Sequence, residues 1–229
     1  MERKLHELLP ENHPWRSLIQ VYDTLPSTND LAKTLARQGA PQGTVILAKN
    51  QTQGRGRMGR SFHSPENCGI YMSLILRPNC PASELMHLTC AVAWAMCNAV
   101  EKATGLRPGI KWINDLVLDG RKLCGILTEL GQGFVVVGIG MNCNQQSADF
   151  PPELRETAIS LRQSLGSPVD RDAVAAELIR QVQQAADYMK GRVMYFVRSA
   201  PVVTPIAEKL NLIYQVNDFG TEQSLPVNT

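Results

Sequence analysis

The stretch from Gly109 to Asn142 leaves the backbone few choices. It holds apolar runs separated by two tight turns. Asp119-Gly120 is a two-residue turn of the kind that joins antiparallel strands, because both positions tolerate positive φ. Gly131-Gln-Gly133 supplies the second turn. Leu116 to Leu118, Arg121 to Leu130 and Phe134 to Asn142 therefore read as an antiparallel meander. Five polar residues are lodged in this apolar strand sequence: Lys111, Asn114, Asp115, Lys122 and Asn142. Burying an unpaired Lys or Asp costs on the order of several kcal/mol. Pairing Lys111 with Asp115 accounts for one pair and leaves the rest unexplained. A polar ligand site accounts for all five.

Upstream, Gln51-Thr-Gln-Gly-Arg-Gly-Arg-Met-Gly-Arg60 ends in three glycines and three arginines within seven residues. Glycines let the backbone bend tightly and approach a ligand closely. Guanidinium groups match pairs of oxygens on phosphate or carboxylate. No Asp or Glu occurs from Leu31 to Pro65, so nothing local neutralises the charge. The loop is expected to fold over a small anion. Its Gly54-x-Gly56-x-x-Gly59 spacing fits the dinucleotide fingerprint, but a strand-like run, Ile70 to Leu76, follows where a helix should open. A phosphate-binding Walker loop is excluded because no Gly-Lys-Ser/Thr ends the motif. An Arg/Gly segment binding RNA is the remaining rival.

The other elements follow from period and punctuation. Residues 2–9 read as a short amphipathic helix ended by Pro10, and Ser17 to Asp23 as a strand. Ser27 with Asp30 resembles a capping box opening a helix over 31–37, closed by Gly39. The rival reading of Ser27, Thr28 and Asn29 is a helix start that offers its groups to a ligand. Thr44 to Ala48 is a strand that delivers the chain to the arginine loop. Ser83 to Thr104 is a long helix whose apolar spacing, with Cys90 and Cys97 included, marks core packing. A short helix is expected from Glu153 to Leu165, and a longer one from an Asp170 cap to near Lys190. Strand-like runs at 202–205 and 210–216 close the chain.

With 229 residues the chain can bury a proper core. A net charge of +2 and 6% aromatics argue against a general polyanion binder, so the basic character is local. No apolar run reaches membrane-spanning length, and the N-terminus lacks a secretory apolar region. Six cysteines form no Cys-x-x-Cys and read as buried thiols of a cytoplasmic protein.

Taken together, Ser27-Thr28-Asn29, the 51–60 loop, Lys111-Trp-x-Asn-Asp115, Gly120-Arg-Lys122-x-x-Gly-Ile-Leu and Gly138-Ile-Gly-x-Asn142 resemble the catalytic domain of biotin protein ligases, in the family's order. The resemblance covers roughly residues 17–190. It implies an α+β fold: a mixed, largely antiparallel sheet with helices packed on one side. It implies a biotin- and ATP-binding catalytic domain over 1–190. Residues 191–229 then stand where many members add a small SH3-like barrel, as a vestigial or truncated form of it. The winged DNA-binding domain that some members carry is not expected ahead of the first strand. Phe62 stands where the family usually has Trp, and Ile113 where it usually has Pro.

The resemblance also implies the chemistry. Biotin attacks the α-phosphate of ATP, giving biotinyl-5′-AMP and pyrophosphate; a lysine of a biotin carboxyl carrier protein then takes the biotinyl group. Ser27, Thr28, Asn29, Gln51, Arg55, Gly56, Arg57 and Lys122 would form the biotin site. Arg57, Arg60, Phe62, Lys111, Asn114 and Asn142 would face the nucleotide. Lys122 and Arg57 are the expected catalytic cations, with Asp115 orienting the acceptor amine. Mg²⁺ would travel with ATP, with no fixed protein metal site. No nucleic acid or membrane partner is expected, and a homodimer is kept open. A lipoate or octanoate ligase on the same scaffold is the alternative.

Overall fold

The structure is a computed structural model that describes residues 1–78, 85–112 and 114–188. Its elements are α1 (Glu2–Leu8), β1 (Ile19–Leu25), α2 (Thr28–Arg37), β2 (Val45–Gln51), β3 (Gly69–Leu76), α3 (Leu85–Thr104), β4 (Gly109–Lys111), β5 (Asp115–Leu118), β6 (Arg121–Gly131), β7 (Phe134–Asn142), α4 (Leu161–Leu165) and α5 (Arg171–Tyr188). The seven strands form one sheet in the order β1-β2-β3-β7-β6-β5-β4. Only β1 and β2 run parallel; every other neighbouring pair is antiparallel. The mixed, largely antiparallel sheet is the one expected. The segment 191–229, the end of α5 near Lys190 and Ile113 lie outside the described residues.

Alternation along the strands sorts the core into two layers. Val45, Leu47, Met72, Leu74, Val137 and Ile139 point to one face, where α1, α3 and α5 cover them. Ile46, Ile75, Phe134 and Val136 point to the other, under Ala32 and Ala36 of α2. Helices therefore pack mainly on one side, and α2 is the exception. Helix α3 is apolar round most of its circumference, with Leu88, Val92, Met96 and Val100 all within 1% of full burial, because sheet and α5 both cover it. Burying each such side chain contributes about 1.5–3 kcal/mol.

Local differences from the expected elements have local causes. Arg16–Leu18 forms a turn of 3-10 helix, so the first strand starts at Ile19 and runs two residues past Asp23. Within 153–165 only α4 is an α-helix, opened by a capping box between Ser160 and Gln163 and ended at Gly166 in the left-handed region. Helix α5 is capped as expected: Asp170 Oδ1 accepts from the N–H groups of Asp172 and Ala173. Cys90, Cys97 and Cys143 are free thiols that burial pushes up to about 12.

The N-terminal segment is tied down by an aromatic anchor. Trp15 is buried against Gly43, where a Cβ would lie 2.1 Å from the indole. His13 Nδ1 accepts the Trp15 backbone N–H at 3.2 Å, a bond that a protonated ring cannot accept. Burial lowers the His13 pKa below 6.5, with Arg180 adding to the effect and Asp187 opposing it. The folded state thus binds fewer protons than the unfolded chain. The stabilisation is complete above the unfolded value and is lost as pH falls from there through the lower, folded value. His13→Gln should flatten the fall in thermal midpoint between about pH 7 and pH 5. Midpoints of both proteins across that range check this; parallel curves would contradict it.

Candidate functional site

The face of the sheet that bears α2 carries the site. Cross-strand pairing places Asp115, Gly125, Gly140 and Tyr71 in one row, and Leu127, Gly138 and Ser73 in the next. Glycines take the middle of both rows, so the floor there is bare backbone. The first turn of α2 and the Phe62 ring use that space. A Cβ at Gly138 would sit 2.2 Å from Asn29 Oδ1, and one at Gly140 would sit 2.6 Å from the Phe62 ring. Gly138→Ala should drive Asn29 from its partners and lower stability by about 1–3 kcal/mol. Denaturant unfolding measures this; an unchanged midpoint would mean that Asn29 can retreat.

Lys122 reaches this face through an irregularity. Leu116 pairs with Cys124 but Val117 pairs with Lys122, so Leu123 is an extra residue in β6. Leu123 and Cys124 both enter the core at 0% exposure. Lys122 is left on the site side, its Nζ 3.2 Å from where a Gly125 Cβ would be. The backbone of Lys122 is clamped by residues 157–159: its N–H donates to Thr157 O at 2.7 Å, and its carbonyl accepts from Ile159 N–H at 2.9 Å. Asn142 completes the clamp, donating to Ile159 O at 3.2 Å and Lys122 O at 3.4 Å.

The arginine loop is itself a small hairpin. Arg55 bridges Ser61, Gly56 N–H donates to Arg60 O at 2.7 Å, and Phe62 N–H donates to Gly54 O at 2.8 Å. Its tip turns through Met58 and Gly59, both in the left-handed region at φ 55° and 73°. Met58 is 91% exposed there. On one flank Arg57 donates to Asn114 Oδ1 at 2.7 Å, Asn114 Nδ2 donates to Asp115 Oδ1 at 2.8 Å, and Lys122 Nζ lies 2.9 Å from the same oxygen. Two cations from distant segments are thus joined through an amide and a carboxylate. The partner of Asp115 is Lys122, not the Lys111 paired with it in strand register. On the other flank Arg55 is not left unneutralised: it meets Asp30 at 2.6 Å and Glu129 at 3.7 Å.

Helix α2 opens onto the same space. The expected Ser27 cap is not made. Gln51 caps the helix instead, its Oε1 accepting from the Thr28 N–H at 2.8 Å and lying 3.1 Å from Thr28 Oγ1. Gln51 Nε2 donates to Ser64 Oγ at 3.1 Å. Asn29 Oδ1 accepts from Ser73 Oγ at 2.6 Å and Asn29 Nδ2 donates to Glu129 at 2.8 Å. This leaves Ser27, 2% exposed, beside the ligand space without a capping duty.

These parts line a narrow cleft that opens to solvent. Ser27, Thr28, Asn29, Gln51, Arg55, Gly56 and Arg57 line it, with Phe62, Asn114 and Lys122. Four expected residues do not line it. Arg60 and Lys111 are exposed, Asp115 stands behind Lys122, and Asn142 is buried at 4% exposure within the Lys122 clamp. Sequence reasoning missed Asp30, Glu129, Ser64 and Ser73. Glu129 and Ser73 did leave a signal, as lone polar residues in apolar strands.

The model of the biotin/lipoate A/B protein ligase family matches residues 21–145. The chain belongs to this family. The match runs from β1 through β7 and takes in the whole glycine floor. Among relatives, the bifunctional ligase/repressor BirA of Bacillus subtilis is 43% identical over 174 residues, covering 73% of this chain and 54% of that protein. The biotin–acetyl-CoA-carboxylase ligase of Mycobacterium tuberculosis is 33% identical over 187 residues, covering 80% and 69%. The biotin protein ligase of Aquifex aeolicus, solved in complex with biotin and ATP, superposes with a TM-score of 0.67 at 29% identity, covering 76% of this chain and 72% of that one. The chain spans about half the length of the BirA relatives it matches.

Proposed function

We propose that the chain is a biotin protein ligase: it condenses biotin with ATP to biotinyl-5′-AMP and pyrophosphate, then passes the biotinyl group to a lysine of a biotin carboxyl carrier protein. The observation that carries this reading is that Arg57 and Lys122 line one cleft together with Gln51 and the start of α2. The family model covers biotin and lipoate ligases alike, and the relatives' names favour biotin over lipoate.

The chemistry needs this grouping. A carboxylate and a phosphate oxygen 4 Å apart repel by about 4 kcal/mol at an effective dielectric of ~20. Lys122 Nζ is near enough to stand between them, and Arg57, bonded to the neutral amide of Asn114, has charge to give the α-phosphate. Mg²⁺ would come with the nucleotide and neutralise phosphate oxygens; the residues lining the cleft include no carboxylate. The flat ureido head of biotin suits the hydroxyl and amide groups of Ser27, Thr28 and Asn29. Phe62, lying over Gly140, offers a ring face to the adenine. Asp115 holds Lys122 at 2.9 Å, which makes it a keeper of that ammonium rather than an orienter of the acceptor amine. Free thiols suit the reducing cytoplasm, where we place the reaction, without nucleic acid as a partner. No helix among the described residues is long and apolar enough to cross a membrane.

Incubation with biotin, MgATP and the chain tests the reading. Stoichiometric pyrophosphate and enzyme-held biotinyl adenylate are expected. Activation of lipoate or octanoate in preference to biotin would overturn it.

A further inference from the structure

The two arginines of the hairpin are held in different ways. Arg55 meets two carboxylates, Asp30 at 2.6 Å and Glu129 at 3.7 Å. Lys33 joins the same pair, at 2.9 Å from Asp30 and 3.0 Å from Glu129. Two cations face two anions, so the charge of Arg55 is matched. The second oxygen of Glu129 accepts from Asn29, which Ser73 holds in turn. The cluster therefore roots one leg of the hairpin in α2, β6 and β3. Burial pushes the Asp30 carboxyl up, but hydrogen bonds from Lys33 and Arg55 outweigh it and leave the pKa lowered. Arg57, on the other leg, has among the described residues a single acceptor, the neutral amide of Asn114. A neutral amide holds a guanidinium less firmly than two carboxylates do.

We propose that Asp30 and Glu129 are positioning residues that fix the Arg55 leg of the hairpin, so that Arg57 alone changes partner when an anionic ligand enters. Arg55 is then a hinge pin and not a ligand for the substrate carboxylate. The consequence for catalysis rests on the adenylate-forming reaction proposed above; the pin itself does not. With the pin in place, the hairpin stays over the cleft while Arg57 swings from Asn114 to the phosphate. With the pin weakened, the whole hairpin lifts and the adenylate escapes.

Two readouts test this in the full chain. The first needs no activity. Limited trypsin digestion, followed by mass spectrometry, reports cleavage after Arg57 and Arg60, which requires the hairpin to open. Asp30→Asn and Glu129→Gln should each speed that cleavage about fivefold. Asp30→Glu should restore the wild-type rate, and thermal midpoints should stay alike. Unchanged cleavage in both neutral variants would overturn the proposal. The second readout is loss of biotinyl adenylate after mixing with biotin and MgATP. Loss should quicken about fivefold while the rate of adenylate formation changes less. Faster cleavage without faster adenylate loss would overturn the positioning role. A wild-type chain that forms no adenylate at all would refute the proposed function, and the cleavage result would still decide the pin.

Discussion

Lys122→Ala should abolish adenylate formation, with a fall of about 100- to 1000-fold in pyrophosphate release. Among the described residues the ammonium is the one cation that the sheet brings to the cleft, and it stands on a strand whose backbone is fixed by Thr157 and Ile159. Those backbone bonds survive the substitution. Asp115 loses an ion pair but keeps Asn114 as a donor. The pair is partly exposed, with side chains at 40% and 21%, so stability should fall by about 1 kcal/mol or less. Lys122→Arg should not rescue the reaction, because a planar guanidinium cannot take the place of a point charge beside Gly125. Pyrophosphate release near the wild-type rate, from a folded Lys122→Ala protein, would remove Lys122 from the chemistry.

Arg57→Gly should produce an enzyme that makes the adenylate and fails to keep it. Arg57 supplies the side chain that ties the hairpin to Asn114, and in the proposed reaction it also grips the phosphate. A hydrogen bond to a charged group contributes about 1.5–3 kcal/mol, which corresponds to an adenylate lifetime shorter by about 10- to 100-fold. The freed adenylate is an activated acid and should acylate lysines of bystander proteins. Mass spectrometry of an added protein with no carrier sequence measures this. A labelling pattern equal to wild type would count against the clamp. Arg55 is pinned to Asp30 and Glu129, so the hairpin should stay attached at its other leg and the fold should hold.

Much of this could be read from letters because the turns are local. Asp119-Gly120 and Gly131-Gln-Gly133 dictate hairpins whatever surrounds them, and β5, β6 and β7 lie where those turns put them. Pairing between distant segments was not legible. Nothing in the sequence says that β3 lies beside β7, yet that pairing brings Ser73 under Asn29. Counterions were hidden for the same reason. Arg55 was read as uncompensated because its partners sit on α2 and β6, not in the loop. The Ser27-Asp30 capping pattern was a false lead: Gln51 takes the capping duty from across the sheet, and Asp30 serves Arg55. The ammonium at 122 was recognised by its motif, but its route to the cleft was not, since Leu123 and Cys124 are both apolar and disguise the extra residue.

The bulge that absorbs this extra residue decides on which side of the sheet a charge is displayed. Were β6 to pair without the bulge, its letters unchanged, regular alternation would aim the ammonium at the hydrocarbon between sheet and α3, where Cys124 and Ile126 now lie. The chain would have to bury a charge or unravel the end of the strand. Deleting Leu123 would instead restore regular pairing with the ammonium still on the cleft side, so the display depends on the irregular pairing and not on the letter at 123.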